Sequence, residues 1–254
     1  MSHFTVGVIL KEKDVKSQGI RRALEAAMDP FDENKEVEPR IDLTVEEVQK
    51  EFDEIVNYTG DNQWHNDLKD KYVNKTLEEF CAMYYGKGLT DEGIYTTYNE
   101  KSKWDWYVVG GRWDGCLPIK NRNKSDEDHD IFDDNYEDNS CQIKDVEFKK
   151  EITDEEQDRL KVKYEELTTK GDFYTPEYYQ RRYPTFESYL ENELTFSTYA
   201  LLTSDGTWHE PGAMGWFGIS NAEPEDEINF KNSYDSLIAK EDPENYFVLV
   251  DCHI

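Results

Sequence analysis

Tyr246-Phe247-Val248-Leu249-Val250-Asp251-Cys252-His253 is a run whose apolar residues fall on both faces of a strand. Tyr246, Val248 and Val250 share one side and Phe247 and Leu249 the other, because successive side chains of a strand point to opposite faces. A strand buried on both sides belongs at the centre of a sheet. The start of the chain supplies a second strand of this kind. Over residues 3–11, Phe4, Val6, Val8 and Leu10 share one face, and His3, Thr5, Gly7 and Ile9 share the other. Two buried strands at opposite ends of the chain predict a single domain over residues 1–254.

Between them, helices and strands follow one another in irregular order. Residues 18–28 read as a helix ended by Pro30. Thr44 with Glu47 forms a capping box, and Leu43 and Val48 are placed for the accompanying staple. Behind that box Val45, Val48, Phe52, Ile55 and Val56 make one apolar stripe. Thr76 with Glu79 opens a helix carrying Phe80, Met83 and Tyr84, and Thr153 with Glu156 opens another that runs to about residue 168. Thr175-Pro176 starts a helix with proline at its first position. A further helix is expected at 187–193 and the last at 229–240. Strand-like stretches cover 94–119, broken at Gly110-Gly111, and 142–148. Ser204-Asp205-Gly206 between two apolar runs marks a hairpin. This order predicts an α+β fold: one mainly antiparallel sheet with helices packed on it, and an acidic loop inserted at 121–140.

The 254 residues include 29 Lys+Arg against 57 Asp+Glu, a formal charge of −28. Such acidity alone would suggest disorder, but 6 Trp, 17 Tyr and 12 Phe argue for a folded chain. Direct binding to nucleic acid or to anionic membranes is disfavoured, since both need Lys/Arg against phosphate. No apolar run approaches a membrane span and no secretory leader is visible, so a cytoplasmic location is expected. Cys81, Cys116, Cys141 and Cys252 are far apart and form no close ligand pairs, so they read as reduced thiols. No motif calls for a cofactor.

Two segments are rich in aromatic residues and glycine. Trp104-Asp105-Trp106-Tyr107-Val108-Val109-Gly110-Gly111-Arg112-Trp113 would place Trp104 and Trp106 on one strand face and Tyr107 on the other. Read as a site, the indoles stack a ring and Arg112 grips an oxyanion. Read as structure, the segment is an aromatic core with Arg112 paired to Asp105 or Asp114. The second segment, residues 206–218, carries Trp208, His209, Glu210 and Trp216 among four glycines. These two segments and the opening Met-Ser-His-Phe-Thr-Val resemble a family of tailed-bacteriophage and prophage proteins. That family has the same start, a Trp-Asp-Trp-Tyr…Gly-Gly-Arg-Trp stretch, and a later Asp-Gly-x-Trp followed by Met-Gly-Trp-(Trp/Phe). The matching positions are 1–6, 104–113 and 205–218. The resemblance implies a phage origin and a shared pocket, and it brings no activity with it.

His3-Phe4-Thr5 resembles half of the His-x-Thr signature of two-histidine phosphoesterases, whose chemistry needs one histidine as base and one as acid. No second His-x-Thr or His-x-Ser exists at His65, His129, His209 or His253, although His253 at the end of the last strand is placed to meet His3 across the sheet. Asp126, Asp128, Asp130, Asp134 and Glu137 occupy positions of a calcium-loop template, but Ile131 stands where the template needs glycine. A solvated acidic loop is the expectation there, with no metal.

These readings predict a phage-encoded binding protein that blocks a host factor, in particular an antiphage-defence factor, by stoichiometric capture. One mode holds a small phosphorylated nucleotide signal in a pocket of Trp104, Trp106, Tyr107, Arg112, Trp113, Trp208 and Trp216. The other docks a basic host protein on an acidic, nucleic-acid-like surface. The alternative is a nucleotide phosphodiesterase or hydrolase with His3, His209 or His253 as acid/base.

Overall fold

The computed structural model describes residues 2–122, 130–214 and 220–254. In chain order its elements are β1 (His3–Leu10), α1 (Glu12–Gln18), α2 (Ile20–Met28), β2 (Arg40–Thr44), α3 (Val45–Val56), α4 (Gln63–Tyr72), α5 (Leu77–Tyr84), β3 (Gly93–Thr96) and β4 (Trp106–Val109). They continue with α6 (Tyr136–Asn139), β5 (Ser140–Gln142), α7 (Asp154–Lys170), α8 (Pro176–Arg182), α9 (Phe186–Leu194), β6 (Ala200–Leu202), β7 (Trp208–His209), α10 (Pro224–Ile238) and β8 (Tyr246–His253). The fold is α+β. Among the described residues no helix is long and apolar enough to cross a membrane.

Two compact units divide the chain, Met1–Glu33 with Lys101–Ile254 in one and Asn34–Glu100 in the other. The expected single domain over 1–254 is corrected on this point, because the inserted segment builds a core of its own. There β2 and β3 pair antiparallel, and Val48, Tyr72, Phe80, Cys81 and Ile94 are buried together. The capping boxes of Thr44 with Glu47 and Thr76 with Glu79 both form, starting α3 and α5.

In the larger unit the strand order is β4-β8-β1-β6-β7, with β5 also on β8. Every pairing is antiparallel except that of β1 with β6. The two faces divide as alternation requires. Phe4, Val6, Val8, Val248, Val250 and Cys252 pack with Ala23, Leu24 and Met28 of α2. Ile9, Phe247, Leu249 and Leu201 pack with Tyr234 and Ile238 of α10. Phe247 lies so close over β1 that a Cβ at Gly7 would sit 2.4 Å from its Cζ, so only glycine fits there.

The acidic stretch is corrected in part. Residues 123–129, with Asp126, Asp128 and His129, lie outside the described residues. Beyond them Asn135, Asp138 and Asn139 are buried, not solvated. Asn135 and Asn139 both donate to Asp114 Oδ1, at 2.7 and 2.6 Å, and Asp134 Oδ1 accepts the Val109 amide. The polar side chains bind this segment to β4 and the turn after it. The expected strand over 142–148 is confined to β5, and a short 3-10 turn follows it.

Candidate functional site

The register of β1 against β8 sets His3 opposite His253, and that of β4 against β8 sets Trp106 opposite His253 on the other side. Side chains directly opposite on one face lie within contact distance. The His3 and His253 ring centroids are 5.0 Å apart at 73°, an edge-to-face contact. His253 stacks on Trp106 at 4.9 Å and 16°, and His3 meets the same indole at 5.2 Å. The exposed Phe132 lies beside Trp106, 6.2 Å between centroids.

Each imidazole has its own carboxylate. His3 Nδ1 is 2.8 Å from Asp251 Oδ1, and His253 Nδ1 is 2.7 Å from Asp105 Oδ1. With Nδ1–H given to the carboxylate, Nε2 is the ring nitrogen left for chemistry. Asp251 Oδ2 accepts the Arg112 amide at 3.0 Å, which fixes the carboxylate from its second oxygen. Gly110 and Gly111 make this possible. Their φ angles of 81° and 52° turn the chain out of β4 into a 3-10 turn that carries the Arg112 amide over Asp251. Cys252, between the two site residues, points into the other face, where burial pushes its thiol well above the ordinary value.

His253 Nε2 is buried with no hydrogen-bond partner among the described residues. Leaving a buried polar atom unpaired costs about 1–3 kcal/mol. A ligand atom that bonded it would recover that energy. The edge-to-face contact leaves no room between the rings, so a ligand has to be held at their rims.

Among the described residues the expected aromatic pocket is not assembled. Trp104 and Tyr107 pack edge-to-face in the core under α2, and Trp208 joins that core against Phe31. Trp113 packs on the opposite core. Trp104 was expected beside Trp106, but it precedes the start of β4, where the chain is tied to the Phe31 carbonyl. Trp216 lies outside the described residues. The Arg112 side chain is exposed, and none of the ion pairs found among the described residues involves its guanidinium. Of the three histidines, His209 stands apart. It pairs with Leu201, level with Gly7, so it is four residues or about 13 Å along β1 from His3 and two strands across. Its Nε2 lies 3.2 Å from Thr203 Oγ1, and burial lowers its pKa against the pull of Asp205.

Thr5, the second half of the His-x-Thr resemblance, accepts the Tyr199 amide at 2.9 Å. Of the calcium-template residues that are described, Asp130 caps the Phe132 amide and Glu137 pairs with Arg122. No group of His, Cys, Asp and Glu among the described residues could hold a metal ion. Asp105 and Asp251 were missed in the sequence as site residues. Their signal was a polarity change within one face: Ile9 and Leu249 give way to Thr5, His3, Asp251 and His253 on strands otherwise apolar. Comparison with family models, curated proteins and solved structures finds no match.

Proposed function

We propose that the chain acts on the phosphate ester of a nucleotide, with His3 and His253 as an acid/base pair. The observation that carries this reading is their placement directly across β1 and β8, each with an aspartate on Nδ1. A carboxylate in that position orients the imidazole and fixes its tautomer, as in the third member of a catalytic triad. In a 2′,3′-cyclic nucleotide, one imidazole takes a proton from water as its oxygen attacks phosphorus. The other gives a proton to the ribose oxygen as its bond to phosphorus breaks. The proton count closes, and neither a metal nor a redox partner is needed. Trp106 and Phe132 at the rim offer a stacking surface for a base, which favours nucleotides over simple phosphomonoesters. The phage resemblance makes a host nucleotide signal the substrate class of interest.

Incubation with 2′,3′-cyclic nucleotides and cyclic oligonucleotides is the test, with His3→Ala and His253→Ala alongside. Turnover that falls by about 10²–10⁴ in either variant is expected. No turnover, or turnover unchanged in both variants, removes the reading. A second reading, capture of a basic protein, is favoured by one observation, the charge of −28. It expects a stoichiometric complex released by salt and indifferent to His3→Ala.

A further inference from the structure

A cavity of about 240 Å³ opens among α8, α9 and α10 and shares no residue with the histidine pair. Lys231 of α10 lines it. Its Nζ lies 2.9 Å from the Asn192 carbonyl oxygen and 2.7 Å from Asn192 Oδ1. Both acceptors are neutral and there are two of them. A free amine has two N–H groups, so it keeps both bonds and retains its lone pair.

The charged neighbours on α8 and α9 are already engaged. Arg182 of α8 is held by Glu227 of α10 and by the Tyr178 and Tyr183 hydroxyls. Of the α9 carboxylates, Glu191 pairs with Lys149 at 2.7 Å and Glu193 with Lys163 at 3.6 Å. Asp235 is on Lys231's own helix, one turn on. Burial, aided by the Arg182 charge, therefore outweighs the pull of Glu193, Glu191 and Asp235, and the amine is pushed down to about 8. Desolvation beside another cation is the usual way to make a lysine nucleophilic.

We propose that Lys231 is a nucleophilic amine that takes a small, uncharged, hydroxyl-bearing aldehyde or ketone as a Schiff base. The nitrogen adds to the carbonyl carbon, a proton moves to the oxygen, and water leaves as the C=N bond forms. Nothing is oxidised or reduced. The ligand class follows from the walls. The volume lies below the ~300–1,000 Å³ of sites for drug-sized ligands. Ser188, Thr195 and Asn232 offer hydroxyl and amide partners, while the carboxylates of Glu191, Glu227 and Asp235 outnumber the Arg182 cation in the walls and disfavour an anionic carbonyl compound such as a keto acid.

Glyceraldehyde trapped with cyanoborohydride, followed by peptide mapping, tests this on the intact chain. At pH 7 Lys231 is expected to label at least about tenfold faster than the exposed Lys240, since ordinary lysines titrate near ~10.4. Its rate should rise with pH and level above about pH 8, whereas exposed lysines continue to gain. Lys231→Met should remove that adduct and leave Lys240 labelling unchanged. Labelling of Lys231 no faster than Lys240, or a rate still climbing at pH 10, overturns the proposal. Pyruvate trapped there as fast as glyceraldehyde overturns the ligand class.

Discussion

Asp251 serves two partners at once, His3 through Oδ1 and the Arg112 amide through Oδ2. The second bond exists only because Gly111 has φ 52° and leaves space: a Cβ there would lie 2.6 Å from Asp251 Oδ2. Gly111→Ala therefore has two costs, a left-handed backbone at a residue with a Cβ and a displaced carboxylate. A loss of about 1–3 kcal/mol in unfolding free energy is expected by urea denaturation. Any turnover should fall with it, because His3 loses its orienting oxygen. A variant as stable as the parent would show that the turn is not strained by a side chain. At this scale the sequence was half legible. The alternation of β1 and β8 placed His3 and His253 on compatible faces, and the pairing of the two strands brought them together. The aspartates and the Arg112 amide were hidden, because Asp105 lies 148 residues from His253 and Arg112 lies 139 from Asp251, and these pairs meet only through the sheet.

Among the elements, α7 depends on its ends more than on its faces. It runs from Asp154 to Lys170 with no fully buried residue. Little apolar burial is available to hold it, so local terms weigh more than usual. Its capping box is complete: Thr153 Oγ1 accepts the Glu156 amide, and Glu156 accepts the Thr153 amide at 3.0 Å. The Thr153 amide and the Thr153 hydroxyl both donate to the Glu156 carboxylate, and these two bonds hold it below its ordinary range. Thr153→Ala is expected to cost about 1 kcal/mol. Hydrogen exchange should show the loss as faster exchange in the first turn of α7, with β1 and β8 unaffected; uniform exchange along the chain would contradict it. Such boxes are the most legible elements here, since Ser/Thr-x-x-Glu is a local pattern with a local cause. The helix α4 was missed, because Trp64 on it is exposed and its apolar stripe, Leu68 with Tyr72, is short. The hairpin strands β6 and β7, of three and two residues, are shorter than the stretches 196–203 and 207–210 that flank the turn in the sequence.

For the whole molecule the decisive quantity is the charge of −28. Ion pairs such as Lys144–Glu244 and Lys149–Glu191 bridge the surface, yet both partners in each are exposed. Exposed pairs contribute about 0–1 kcal/mol and are themselves screened by salt. The excess carboxylates repel one another over the whole surface, and repulsion of this kind destabilises the compact state. The Debye length falls from about 30 Å at 0.01 M salt to about 8 Å at 0.15 M. That change removes long-range repulsion while short-range pairs survive, so repulsion loses more than attraction. The melting temperature is therefore expected to rise as sodium chloride goes from 0.01 to 0.15 M, most steeply at the low end. A flat or falling melting temperature would mean that the paired charges outweigh the net charge. The same titration tells protein capture apart from the Lys231 adduct. Capture of a basic protein through the acidic surface must weaken as stability rises, because one screening length governs both. An uncharged carbonyl ligand at Lys231 would be held equally well at either salt concentration.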